Sequence, residues 1–250
     1  MHRISKWTLL ILIVDVGVNM NFNLGVTLAR GGSKSIPKKN IATLNGIPLL
    51  AYTIQEAQKS SMIDTYIINT DCHEIATVAH KFGAEVQFGR PPNLSLDTAQ
   101  SGHTLKYVVE RFETEKKVEV KIVTELMATN PLKIVFDIDA CVKLLSKNEA
   151  DSAIAMGRLY DHHPSRIKYL DDKGAICNFY PEIPESRRQD LKPNAYIRAG
   201  SIYVMTREQI ALGLRYGAGK SLGYVLPDER FINIDEPRDL FIAEQIISEL

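Results

Sequence analysis

Cysteine is scarce in this chain. Cys72, Cys141 and Cys177 are odd in number, widely spaced and form no C-x-x-C pair, which argues against a disulfide framework or a structural zinc site and points to a reducing cytoplasm. Net charge is absent as well: 30 basic residues balance 30 acidic ones. No overall field would therefore gather a nucleic acid or an anionic membrane. No apolar run reaches the ~20 residues that a bilayer requires; the longest candidate, Trp7 to Val14, is interrupted by Asp15. Two common phosphate signatures are missing too. Neither G-x-x-x-x-G-K-[ST] nor G-x-G-x-x-G occurs, so a P-loop and a dinucleotide-binding turn are not expected.

What is present suits one large α/β domain: 250 residues, 45% of them hydrophobic, without repeats or low-complexity tracts. The basic start "MHRISK" followed by an apolar run resembles the first two regions of a signal peptide, but no small-residue cleavage site follows. Met20 is the start expected from the position of the first core strand. Residues 1–22 are read as an extension, with a packed segment or a membrane-surface anchor as the alternatives, and residues 23–250 as the domain.

Short runs rich in β-branched and aromatic residues predict strands over 23–29, 65–70, 84–88, 120–126, 151–156, 201–205 and 223–226. Apolar residues three and four apart predict helices over 48–60, 73–82, 100–114, 136–148, 206–214 and 237–249. Such alternation implies a three-layer α/β/α fold with a mostly parallel sheet, whose ligands collect beyond the carboxyl ends of the strands. One stretch, 163–193, breaks the pattern. It is polar, holds Pro164, Pro181, Pro184 and Pro193, and contains a hairpin signal at "YLDDKGAI". A loop of that length reads as an excursion that reaches a second subunit or closes over the site.

The chemistry concentrates after the first strand, in "LARGGSKSIPKKN". Exposed amides of a glycine turn, followed by Arg30, Lys34, Lys38 and Lys39, can face an anion; by spacing alone a solvated basic loop is as good a description. Asp71 and Glu74 have capping-box spacing at a helix mouth, and Asp97 is placed to cap a helix starting near Thr98. His162 and His163 lack the spacing of a helical ligand pair and read as turn or interface histidines.

The series "LARGGSK", "IPKKN", "LNGIPLLAYTI", "NTDCHEIATVAHKFGAEV", "GRPPNLSLDTAQS", "ATNPL", "RRQDLKP", "GSIYV" and "ERFINIDEPRDL" resembles the acylneuraminate cytidylyltransferases. These enzymes couple CTP to nine-carbon 2-keto acids with Mg²⁺ and release pyrophosphate. The resemblance runs from about residue 24 to 245 and implies a Rossmann-like nucleotidyltransferase fold. It also implies a homodimer built through 163–193. Arg30, Ser33 and Lys34 would then hold the triphosphate, Lys39 would sit at the α-phosphate with Arg30 as its catalytic partner, and Asn40, Arg90 and Ser101 would lie beside the nucleotide.

For the sugar acid, paired arginines can present a planar fork to a carboxylate. Arg187 and Arg188 are the expected clamp, with Gln189 alongside, Tyr196 as a wall, and Met127 and Thr129 where the family faces the sugar. The family's D-x-D metal pair corresponds to Asn233-Ile234-Asp235, so Asp235 keeps its place while Asn233 has lost a charge. Further departures fall on the sugar half: Met127 stands for a glutamine, Ala199 for an asparagine and Ser35 for a glycine. Glu125, at the end of an expected central strand, should face the cleft, since an unpaired buried carboxylate is costly. Altered acid specificity follows, with "ELMATNPLK" and "DHHPSR" nearer to the legionaminic-acid branch. The rival readings are a relative that forms CMP-Kdo and a non-catalytic nucleotide-sugar binder.

Overall fold

The computed structural model describes residues 22–33, 35–181 and 187–249, so the expectations for the N-terminal extension and for Lys34 lie outside the described residues. Chain order begins with β1 (Asn23–Leu28), the short β2 (Thr43–Leu44) and β3 (Ile47–Pro48), α1 (Leu49–Lys59), β4 (Thr65–Asn69) and α2 (His73–Lys81). There follow α3 (Pro92–Ser95), α4 (Ser101–Lys116), β5 (Ile122–Leu126), α5 (Val135–Lys147) and β6 (Ser152–Leu159). The excursion carries β7 (Lys168–Leu170) and β8 (Ile176–Asn178), and the chain ends with β9 (Ala195–Thr206), α6 (Arg207–Ala211), β10 (Ser221–Val225) and α7 (Pro237–Ser248).

The main sheet has the order β10-β6-β9-β5-β1-β4. β1 lies parallel between β4 and β5, and β10 lies parallel to β6; β9 alone runs antiparallel, inserted between β5 and β6. The sheet is thus mostly parallel, as expected, with one reversed strand. Its faces are covered on opposite sides. Leu105, Val108 and Val109 of α4 and Ile210 of α6 pack on Leu24, Val26, Tyr203 and Met205. Ile138 and Val142 of α5 pack on Ile202 and Val204, and Leu50 and Ile54 of α1 meet Ile68 and α2's Ile75. Each helix buries the face that its 3.6-residue period assigns.

Three expectations need correction. Residues 84–88 form no strand; only Glu85 bridges to Ile67, because a lone added pairing beyond β4 leaves one edge to solvent. The helix expected over 206–214 stops at Ala211, ahead of Gly213 with φ +71°, a left-handed residue that ends a helix. The largest difference is β9, expected over 201–205 and found to begin at Ala195. Its first residues are exposed and pair only with β6, so they carry no strand-like apolar pattern. The hairpin in the excursion is present as β7 against β8. No helix among the described residues is long and apolar enough to cross a membrane.

Below the sheet's carboxyl end lies an internal staple that the sequence pattern did not reveal. Lys133 is 1% exposed, and its ammonium donates to Thr53 Oγ1 at 2.8 Å, to the Met127 carbonyl at 2.8 Å and to the Asn130 carbonyl at 2.5 Å. This fixes the loop after β5 to α1. Burial pushes the Lys133 ammonium down to about 7, with Glu56 and Asp137 opposing. The unfolded lysine titrates near ~10.4, so between these values the unfolded chain binds more protons and stability rises with pH. Urea midpoints taken at pH 7 and pH 9 should therefore rise in the wild type and stay level in Lys133→Met; parallel slopes in the two proteins would refute the assignment.

Candidate active site

Beyond the carboxyl ends of β1 and β5 lies a cleft of about 410 Å³. Arg30, Ser33, Lys39 and Asn40 line it from the segment after β1. Arg90 and Ser101 approach from the opposite side, and Met127 forms part of its floor with Glu125. The parallel strands explain the location, since their ends diverge where the chain turns into helices. Ser101 is the first residue of α4, whose positive dipole end faces the cleft.

Most of the sequence-predicted nucleotide residues thus meet in one place. The glycine turn is held by Asp71, whose Oδ1 accepts from Gly31 N at 2.8 Å. The expected capping box is not formed: the helix N-cap is Cys72, without a side-chain cap, and Glu74 instead accepts from Lys38 Nζ at 2.6 and 2.8 Å. Asp97 caps no helix either. It pairs with Arg30 at 2.5 Å. Lys39 donates to Asp235 Oδ1 at 2.8 Å and to the Ile234 carbonyl at 3.0 Å, while Asn40 Nδ2 donates to the Arg30 carbonyl at 2.9 Å. Arg90 is 9% exposed; its guanidinium donates to the Leu94 carbonyl, and burial pulls its pKa down.

Glu125 does face the cleft, and its partner is a residue that sequence reasoning missed. Arg215 donates to Glu125 Oε2 at 2.9 Å and lies 4.2 Å over the Tyr203 ring. The segment carrying Arg215 docks against the start of α4 so closely that a Cβ on Gly102 would sit 2.0 Å from the Gly213 carbonyl oxygen. Ninety residues of sequence separate the ion pair, and no local spacing could have announced it.

At the other border, Asn233 Nδ2 donates to Asp235 Oδ2, and the buried Asn233 Oδ1 has no partner among the described residues. An exposed carboxylate at Asp235 and an unpartnered amide oxygen at Asn233 are donors of the kind a hard cation takes, its shell completed by phosphate oxygens and water. Among the described residues no larger group of His, Cys, Asp and Glu could hold a metal. Gly200 permits this arrangement: its φ is +59°, and a Cβ there would lie 2.8 Å from Asn233 Oδ1. Thr129 Oγ1 donates to the Gly200 carbonyl at 3.4 Å, so Thr129 braces the same corner.

The predicted sugar-acid residues gather elsewhere. Arg188 and Gln189 line a second cavity of about 240 Å³ at the base of the excursion, with Arg158, Tyr160 and His163. Arg187 pairs with Asp190 at 2.7 Å, and Arg188 with Asp161 at 3.4 Å. Tyr196 sits opposite Arg158 on the exposed start of β9. Within one chain none of these four lines the cleft. His163 is a turn residue, as expected: its Nδ1 meets Ser165 Oγ at 2.7 Å and its Nε2 the Pro193 carbonyl at 2.9 Å.

The cytidylyltransferase family model matches residues 24–217. Pseudaminic acid cytidylyltransferase of Campylobacter jejuni is 32% identical over 222 residues, covering 89% of this chain and 94% of that protein. N-acylneuraminate cytidylyltransferase A of Danio rerio is 34% identical over 222 residues and 87% of this chain, which spans 49% of that longer protein. Among solved structures, CMP:2-keto-3-deoxy-manno-octonic acid synthetase complexed with CTP superimposes with a TM-score of 0.66 at 16% identity, covering 92% of this chain and 99% of its own. A 4-diphosphocytidyl-2C-methyl-D-erythritol synthase of Anaerococcus prevotii gives 0.58 at 12% identity, covering 92% and 98%. These two share the fold.

The Glu125 pair yields a stability test. Glu125 is 2% exposed, and removing one partner of a buried ion pair typically costs about 3–5 kcal/mol. Arg215→Ala should lower the denaturation midpoint accordingly, and adding Glu125→Gln should recover part of the loss; a double variant less stable than the single one would contradict the pairing.

Proposed function

The chain belongs to the cytidylyltransferase family, and from that premise we propose that it transfers CMP from CTP to a nine-carbon 2-keto sugar acid, with release of pyrophosphate. The observation that carries the reading is the cleft itself, which joins a glycine turn, Arg30, Lys39 and the start of α4 beside the Asn233–Asp235 corner. In this reading the acid's C2 hydroxyl attacks the α-phosphate in line, and the bond to the β-phosphate's bridging oxygen breaks. Arg30 and Lys39 offset the charge that accumulates on the phosphoryl oxygens, while Asn40 and Ser101 orient the nucleotide.

Both cations are occupied by acids before substrate arrives. Binding of the triphosphate would exchange Asp97 for phosphate at Arg30. It would likewise free Asp235 from Lys39, leaving that carboxylate to join Asn233 around Mg²⁺. The metal would supply charge neutralisation on the triphosphate. No side chain is assigned as general base in this reading, and the proton of the C2 hydroxyl passes to water as the new O–P bond forms.

A homodimer accompanies this reading. Its support is the excursion's apolar surface: Leu170, Ile176, Phe179 and Tyr180 are 66%, 75%, 58% and 63% exposed. A second protomer would cover them and could carry Arg187, Arg188 and Gln189 to its neighbour's cleft. For the acceptor, the apolar Met127 on the cleft floor favours an acid other than sialic acid, with the legionaminic type first among those to try; Ala199, expected on the sugar side, is instead buried in the core with Ile202 and Val204.

Pyrophosphate release from CTP and Mg²⁺ against sialic, legionaminic, pseudaminic and Kdo acids, with products weighed by mass spectrometry, tests the assignment. One acid should turn over, and Lys39→Ala should lower its rate by about 10²–10³; silence across the panel with CTP still bound would favour the non-catalytic binder. Asn233→Asp restores a second carboxylate at the cation corner and should lower the Mg²⁺ concentration for half-maximal rate by about tenfold or more. An unchanged Mg²⁺ titration would place the ion elsewhere.

A further inference from the structure

β9 overshoots its neighbour. Ile202 stands opposite Leu126, the last residue of β5, and the residues before it continue past that end, paired with β6 alone. The segment from Ala195 to Gly200 therefore forms a wall beyond the carboxyl end of the strand that supplies Glu125 and Met127 to the cleft. The Gly200 carbonyl takes the Thr129 hydroxyl at 3.4 Å, and the Ser201 carbonyl takes the Met127 amide at 2.8 Å. None of these six residues lines the cleft itself; the segment adjoins it through its contacts with Met127 and Thr129.

One exposed cation stands on that wall. Arg198 donates to the Tyr216 hydroxyl, and its guanidinium carbon lies 5.1 Å over the Tyr216 ring. Tyr216 stacks on Tyr203 with ring centroids 6.4 Å apart, and Tyr203 also carries Arg215, which reaches Glu125. The result is a stack in which two guanidinium groups flank two phenol rings, running from the cleft floor to the solvent. It holds two positive charges against the single carboxylate of Glu125, and that carboxylate is taken by Arg215. Among the described residues, Arg198 has no acidic partner.

The contrast with the other arginines is informative. Arg30, Arg187 and Arg188 are each paired with an aspartate, so an incoming carboxylate would have to displace an acid from any of them. Arg198 is held in place by stacking and by a neutral hydroxyl, which leaves its remaining N–H groups oriented and uncompensated, the arrangement that binds a carboxylate with least reorganisation.

We propose that Arg198, positioned by Tyr216, binds the carboxylate of the acid acceptor beside the cleft of the same chain. The proposal rests on the cytidyl-transfer reading and assigns its acceptor specificity. It makes Arg198 a substrate-binding residue and gives the cleft an anchor for the acid at the end remote from Arg30 and Lys39.

The test compares wild type with Arg198→Ala, Arg198→Lys, Tyr216→Phe and Arg188→Ala, using the accepted acid and its methyl ester. Loss of a charge-assisted, bidentate contact corresponds to about ten- to hundredfold. Arg198→Ala should raise the KM for the acid by that factor, leave the KM for CTP within about twofold, and abolish discrimination between acid and ester. Arg198→Lys should restore part of the affinity, and Tyr216→Phe should fall between wild type and Arg198→Ala. An acid KM within twofold of wild type in Arg198→Ala, or discrimination lost in Arg188→Ala instead, overturns the proposal. Calorimetric titration of the same acids into the full chain with CTP separates this outcome from failure of the transfer reading. If no acid turns over yet one binds, weaker binding to Arg198→Ala supports the proposal, and equal binding, or no binding to wild type, overturns it.

Discussion

β9 has to satisfy two neighbours at once. It is the one reversed strand of the sheet, and it joins a parallel set around β1 to the parallel pair β6 and β10. Its second half lies in the core, where Ile202 and Val204 pack toward α5 and Tyr203 and Met205 toward α4. Its first half continues beyond the end of β5, paired with β6 alone. The change between these roles occurs at Gly200, whose left-handed backbone is open to glycine at little strain. Thr129, Asn233 and Arg198 all take their places around that turn. A single backbone conformation thus couples the closing of the sheet to the positions of Arg198 and of the Asn233–Asp235 corner.

A second principle runs through the cleft: its cationic side chains are held by carboxylates. Arg30 with Asp97, Lys39 with Asp235 and Arg215 with Glu125 follow this pattern, and only the last holds a buried carboxylate. The exposed pairs add little stability because solvent screens them. They keep long side chains in place, and in the proposed reaction they would exchange for phosphate. The buried Glu125 pair is different, since water cannot compensate either partner there. It fastens the 213–216 segment to the floor and so holds Tyr216 beneath Arg198. Local balancing of this kind also accounts for a nucleotide-binding cleft in a chain of zero net charge.

Much of the fold was legible in periodicity. Helices α1, α2, α4, α5 and α7 and strands β1, β4, β5, β6 and β10 fall where apolar spacing and turn residues place them, because each buries the face that its own repeat defines. The early part of β9 was not legible, since a strand exposed on one side and paired on one edge has no apolar signature. The cluster Arg30, Ser33, Lys39, Asn40 could be found because its members are neighbours in sequence. Asp97 and Asp71 were noticed yet given the wrong partners: capping geometry is a local rule, and both side chains instead satisfy groups from the turn after β1.

The sequence by itself determined the α/β alternation, the glycine turn with its following cations, the excursion and the family to which they belong. Each of these depends on order and spacing along one segment. The tertiary structure alone decided that β9 is reversed, that Arg215 rather than solvent meets Glu125, that Lys133 is an internal staple and that Arg187 and Arg188 lie away from the cleft of their own chain. These are pairings between residues brought together by the sheet. Charge compensation and stacking act over a few ångströms in space whatever the separation along the chain, so spacing carries no record of them.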